Sequence, residues 1–233
     1  MTLTAPDPAI GRALASVAGA AYASGSPEFG SLVREGPVRA LGRCAAPALD
    51  ALAPLIAVPG GGLPLIGTGL RAGTYDALMW NTARCGGTTG VACLLAGLAT
   101  VGREPSAGSF PALVDDPAAD PLRRAVHAGL AVTRAAEALP PATAPAEATL
   151  GVLGVATTCA LLDGAAVDAV LDVAASLMLT SASGERDEDV SLLRAGHACA
   201  AGRTAVVVWR AGITRLPGAV AHTLSVVAGE PLS

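Results

Sequence analysis

The chain has 233 residues, 52% hydrophobic, 15% charged and only 3% aromatic, with a net charge of -4. Interspersed charges leave no basic stripe and so few aromatic rings give no stacking platform, which disfavours nucleic-acid binding. A mean hydropathy of +0.54 requires much of the chain to lie in a packed core or a partner interface, and the abundance of Ala, Leu and Val favours closely approaching helices.

The N-terminus, MTLTAPDPAIGRALASV, has no basic stretch leading into an apolar run. No secretory signal is therefore expected, and the expected location is cytoplasmic. Asp7-Pro8 is a cap residue followed by proline, and it predicts a helix over 8–22. Helices are expected next around 28–43, 45–57, 69–83 and 88–102. Residues 51–70 are about 20 uncharged positions, the length of a membrane span. Pro54, Pro59, Pro64 and Gly60 to Gly62 would break such a span and strand its backbone groups in lipid, so a buried turn between helices is the better expectation.

The span 103–119 reads as a loop, with Pro105, Gly108, Pro111 and Asp115-Asp116. An amphipathic helix is expected over 121–139, with Leu122, Val126, Leu130, Ala131 and Leu139 inward and Arg123, Arg124 and Arg134 in water. A Pro- and Ala-rich connector follows near 140–147. A helix over 148–162 is almost without charge, which predicts burial on all sides. The next, 165–178, is expected to carry Asp168 and Asp172 on an exposed edge. The charge run SASGERDED at 181–189 reads as a solvated loop, a helix is expected over 196–212, and a short closing element ends the chain.

Cys44, Cys85, Cys93, Cys159 and Cys199 form no C-x-x-C pair, so free buried thiols are expected. His127, His197 and His222 show no metal-ligand spacing. With no Gly-rich phosphate loop and no Ser-His-Asp arrangement, no cofactor and no metal is implied.

The segment 68–100, TGLRAGTYDALMWNTARCGGTTGVACLLAGLAT, gathers Tyr75, Asp76, Trp80, Asn81, Thr82 and Cys85 in an otherwise apolar neighbourhood. Asp76 is the candidate general acid or base, because a carboxylate in low dielectric without a cation suits proton transfer near neutral pH. Arg71 or Arg84 could instead pair with it. Tyr75 is the candidate donor to an enolate or oxyanion. Trp80 would form an apolar wall, and Asn81 and Thr82 would orient a substrate. Arg194 and His197 lie three apart and share a helix face, so both could reach the same cavity.

The runs LGVLGVATTCALLDGAAVDAVLDVAASL at 150–177 and RAGHACAAGRTAVVVWRAGITRLPGAV at 194–220, preceded by LRRAVHAGLAVTRAAEAL at 122–139, together resemble the helical domain of the MmgE/PrpD family. That family contains 2-methylcitrate dehydratase and cis-aconitate decarboxylase. The resemblance rests on Gly151 and Gly154 in one helix, the turn at Leu162 to Gly164, and Gly196 and Gly202 in another. It implies an all-α fold, a single helical domain over 1–233 that lacks the family's lid-like α+β domain.

The same resemblance aligns 68–100 with the family's active-site motif N-G-x-x-x-H-x-x-D-x-D-D. Gly69 falls on the glycine and Asp76 on the first acid. The motif's histidine falls on Gly73, its later acids on Leu78 and Met79, and a further histidine near Gly86. Another active-site histidine falls near Pro145, and the lysine near Ser191.

Without those cations a polycarboxylate substrate would go unpaired. The expectation is therefore a lyase, isomerase or cyclase acting on a fairly apolar carbonyl or polyene in specialised metabolism. The alternative is a non-catalytic binding or assembly subunit. A small-molecule substrate and a homo-oligomer, a dimer, are the expected partners, with no nucleic acid and no membrane.

Overall fold

The computed structural model describes residues 8–25, 29, 30, 32, 33, 47–106, 110–139, 146–178, 188–213 and 217–228. Of these, 74% are helical. The elements in chain order are α1 (Ala9–Ser24), α2 (Pro47–Ile56), β1 (Leu63–Pro64), β2 (Arg71–Ala72), α3 (Thr74–Arg84), α4 (Thr89–Thr100), α5 (Ala112–Asp115), a 3-10 turn (Pro117–Ala119), α6 (Asp120–Glu137), α7 (Ala146–Asp163), α8 (Val167–Ala175), α9 (Glu188–Arg210) and α10 (Ala219–Ala228). The all-α expectation holds for the described residues, apart from one two-stranded antiparallel hairpin.

α7 is the axis of the bundle and packs against α4, α6, α8 and α9. Its residues 150–160 are all buried, as a helix with no charge between its ends requires. Two glycines let it approach α6. A Cβ on Gly129 would meet the Gly154 carbonyl, and one on Gly154 would meet the Gly129 carbonyl, so neither backbone has room to give. On the other side Gly202 of α9 lies against Val152 and Val155 of α7. Small residues at these crossings replace interdigitating side chains with near backbone contact.

Thr157 and Thr158 are fully buried. Their hydroxyls donate to carbonyls one turn back, Leu153 and Gly154, and Thr158 also reaches Ala125 of α6. A buried hydroxyl without such a partner would cost about 1–3 kcal/mol.

Several expectations need correction. Residues 57–72 form neither a plain turn nor the start of a helix at 69. Ala57 bridges Ala72, and β1 pairs with β2 through Leu63–Ala72 and Pro64–Arg71. α3 starts only at Thr74, after Gly73 in extended geometry. α9 starts at Glu188, eight residues before Gly196. The span 103–119 holds a short helix and a 3-10 turn in which Asp116 accepts from the Ala118 N–H.

Asp172 is not on an exposed edge. It is 4% exposed and accepts from the backbone N–H groups of Gly218 and Val220, at 3.3 Å each. It thereby holds the N-terminus of α10 against α8. Of the expected helix at 28–43 only residues 29, 30, 32 and 33 are described, all helical; most of the 140–147 connector, most of the 181–189 charge run and Cys44 lie outside the described residues.

Candidate functional site

The site is built where the first turn of α3 meets the first half of α9. Gly196 makes this contact possible, since a Cβ there would run into the backbone of Met79. With the two helices this close, Tyr75 and His197, 122 positions apart in sequence, come together: Tyr75 Oη lies 2.7 Å from His197 Nδ1. The rings meet edge to face at 6.2 Å. His197 Nε2 lies 3.4 Å from the carbonyl of Leu177, just past α8. The Leu177 carbonyl can only accept, so in a neutral ring with its proton on Nε2 the Nδ1 atom would accept from the Tyr75 O–H.

Tyr75 is 40% exposed and His197 half-buried. Burial, followed by the nearby Asp76 charge, raises the Tyr75 pKa above the ordinary phenol value. The phenol therefore holds its proton at neutral pH and can act as a hydrogen-bond donor.

Asp76 is the third residue of α3 and is half-buried. Its carboxylate turns back toward Gly73, which has no side chain to cap the helix. The α3 dipole favours a negative charge there. Neither arginine considered as its partner pairs with it. Arg71 bonds Glu104 at 2.6 Å and the carbonyls of Gly61 and Gly62, and Arg84 lies 3.6 Å from Asp50. Among the described residues Asp76 is without a cation.

The other candidates from α3 are used inside the fold. Trp80 is fully buried and its indole N–H donates to the Leu49 carbonyl at 2.8 Å, tying α2 to α3. Asn81, also fully buried, accepts from Ile66 N–H at 2.8 Å and donates to the Pro64 carbonyl at 2.9 Å, fastening the hairpin to α3. Both are satisfied by backbone partners, which leaves no polar group of theirs to orient a ligand. Thr82 is buried, and its hydroxyl finds no regular partner but lies beside the Cys199 thiol. Arg194 is half-buried one turn before His197 on α9.

Tyr75 and His197 are thus brought together, with Asp76 close enough to Tyr75 for its charge to be felt there, while Trp80, Asn81 and Thr82 face the interior. The Tyr75–His197 contact was beyond a linear reading, because it depends on where α9 crosses α3. The one signal for that crossing was Gly196.

Cys85, Cys93, Cys159 and Cys199 are free and buried. Burial pushes the thiols of Cys93 and Cys159 up to about 12 and about 11, against opposing hydrogen bonds from Thr158 and Thr100. They remain protonated thiols at neutral pH, which removes them as nucleophiles. Among the described residues no group of three His, Cys, Asp or Glu side chains is placed to hold a metal ion. No described helix is long and apolar enough to cross a membrane. No family model matches the chain, and no curated protein matches it.

Proposed function

We propose that the protein is a small-molecule enzyme of lyase, isomerase or cyclase type, related to the MmgE/PrpD helical domain, with Asp76 as its general acid–base group. The observation that carries this reading is a half-buried carboxylate with no cationic partner among the described residues, next in sequence to a tyrosine hydrogen-bonded to His197.

In this reading Asp76 takes a proton from carbon next to a substrate carbonyl, and the electron pair moves onto the carbonyl oxygen. Tyr75 stabilises that oxygen. The phenol O–H swings from His197 Nδ1 to that oxyanion, with no proton changing hands between Tyr75 and His197. Asp76 then returns its proton to another carbon or to a leaving oxygen, giving isomerisation or elimination.

The test uses a panel of apolar β-hydroxy and α,β-unsaturated carbonyl compounds in D2O, followed by NMR for deuterium incorporation and turnover. Asp76→Asn should lower the rate by roughly 10²–10⁴-fold. Tyr75→Phe should lower it by roughly 10²-fold through loss of the oxyanion donor. Full activity in Asp76→Asn, or no exchange with any member of the panel, contradicts the reading.

The binding-subunit reading is favoured by a different observation, the exposed apolar side chains around the hairpin: Leu55 is 80% exposed and Val58 51%.

A further inference from the structure

Tyr75 Oη and His197 Nδ1 lie 2.7 Å apart, and both atoms carry lone pairs. At that separation a proton has to lie between them, because two bare lone pairs facing each other repel where a hydrogen bond would attract. Either atom can supply it. When it is the phenol's proton, Tyr75 has none left to donate to a ligand. When it is a proton on Nδ1, the phenol O–H is free to point outward, into the solvent that reaches the 40% exposed Tyr75.

The far side of the ring decides what the second arrangement requires. The Leu177 carbonyl, 3.4 Å from Nε2, meets a proton there favourably and opposes a bare nitrogen. Moving the proton of a neutral ring from Nε2 to Nδ1 would therefore free the phenol only by setting two lone pairs against each other at Leu177. A second proton on the ring satisfies both contacts at once, with Nε2–H on the carbonyl and Nδ1–H on Tyr75 Oη.

We infer that His197 is the positioning residue of this site: a proton taken from solvent onto Nδ1 turns the Tyr75 O–H away from the imidazole and toward an acceptor oxygen on a ligand, a carbonyl or a carboxylate. This rests on the reading of Tyr75 as the group that meets the substrate oxygen, and it couples that contact to proton uptake. α9 packs against α3, α4, α7 and α8. The titratable and charged groups around His197 are Tyr75 and Asp76 on α3 and Arg194 one turn back on α9. α4 adds only the Cys93 thiol, and the described side chains of α7 add Cys159 and Asp163. α8 adds Asp168 in its first turn and Asp172, which is engaged by the backbone of Gly218 and Val220.

Ultraviolet resonance Raman spectroscopy tests this without a substrate, since the intensity ratio of the tyrosine Fermi doublet distinguishes a phenol that donates a hydrogen bond from one that accepts. The full chain has two tyrosines, so Tyr22→Phe leaves Tyr75 as the sole reporter. From about pH 8 to about pH 5, the range in which imidazole changes charge, the ratio should invert from the donor to the acceptor pattern. On the same background His197→Phe, and His197→Gln as a polar replacement, should each hold the ratio constant over that range, with circular dichroism showing that the chains are folded. A ratio that stays constant in the Tyr22→Phe chain, or an inversion that persists in folded His197 variants, would overturn the inference. Inversion without turnover of any carbonyl compound in the panel supports the His197 role and counts against the enzyme reading. Turnover with a constant ratio does the reverse.

Discussion

Asp172 and Asp76 are both helical carboxylates in an apolar chain, and they have opposite surroundings. Asp172 is almost fully buried and accepts from two backbone N–H groups at the start of α10. Its place is explained by the fold, since those N–H groups would otherwise be orphaned. Asp76 is half-buried and meets none of the arginines near it in sequence: Arg71 serves the hairpin and Glu104, and Arg84 lies by Asp50. Its neighbours are Tyr75 and, through Tyr75, His197. One carboxylate finishes a helix, and the other has no cationic partner among the described residues.

The sharpest way to break the comparison is to remove the first carboxylate. Asp172→Ala should destabilise the chain by about 2–3 kcal/mol, because two buried N–H groups lose their acceptors at once. Thermal denaturation and faster amide exchange in α10 would register it. A smaller loss is expected at the α6–α7 crossing. Gly154→Ala gains about 1 kcal/mol of helix propensity but drives a methyl into the Thr133 hydroxyl and the Gly129 carbonyl, at about 3 kcal/mol. The net is about 2 kcal/mol destabilising by urea titration, and a stabilised variant would show that the helices are not in backbone contact.

Alkaline pH probes the core that surrounds the site. The raised thiol values of Cys93 and Cys159, about 12 and about 11, and the raised Tyr75 value mean that the folded state binds protons the unfolded state has released. Stability from these groups is complete below the unfolded thiol value near 9.0 and is lost as pH rises through the folded values. Urea midpoints should be flat with respect to these groups at neutral pH and fall above pH 9. Thiol reagents should label the four buried cysteines only as fast as the chain unfolds.

Much of the fold was legible because burial of a helix on all sides needs only an absence of charge, which α7 displays openly. The Asp120–Glu137 helix was readable in its buried Leu122, Val126 and Val132, but Arg123, expected in water, has a side chain only 20% exposed and donates to the carbonyls of Leu113, Val114 and Asp116. The hairpin was not, because strands of two residues cannot show a period of two. Asp172 misled because its i, i+4 relation to Asp168 suggests a wet edge, and only α10, contributed by a segment 46 positions away, reveals its use. Within the candidate site, the structure leaves Asp76 and Tyr75 at least partly exposed. Trp80, Asn81 and Thr82 looked equally suitable, since one helix turn separates residues that face opposite ways, and only packing against α2 and the hairpin shows which face is inside.

The most direct measurement is the melting temperature of Asp76→Asn beside that of Asp172→Ala. Asp76→Asn loses only a partly exposed helix-dipole interaction, about 0.5 kcal/mol, so its midpoint should stay within roughly 2 °C of the wild type, whereas Asp172→Ala should fall by roughly 4–10 °C. Equal losses in the two variants would make Asp76 a structural residue and contradict its assignment to proton transfer.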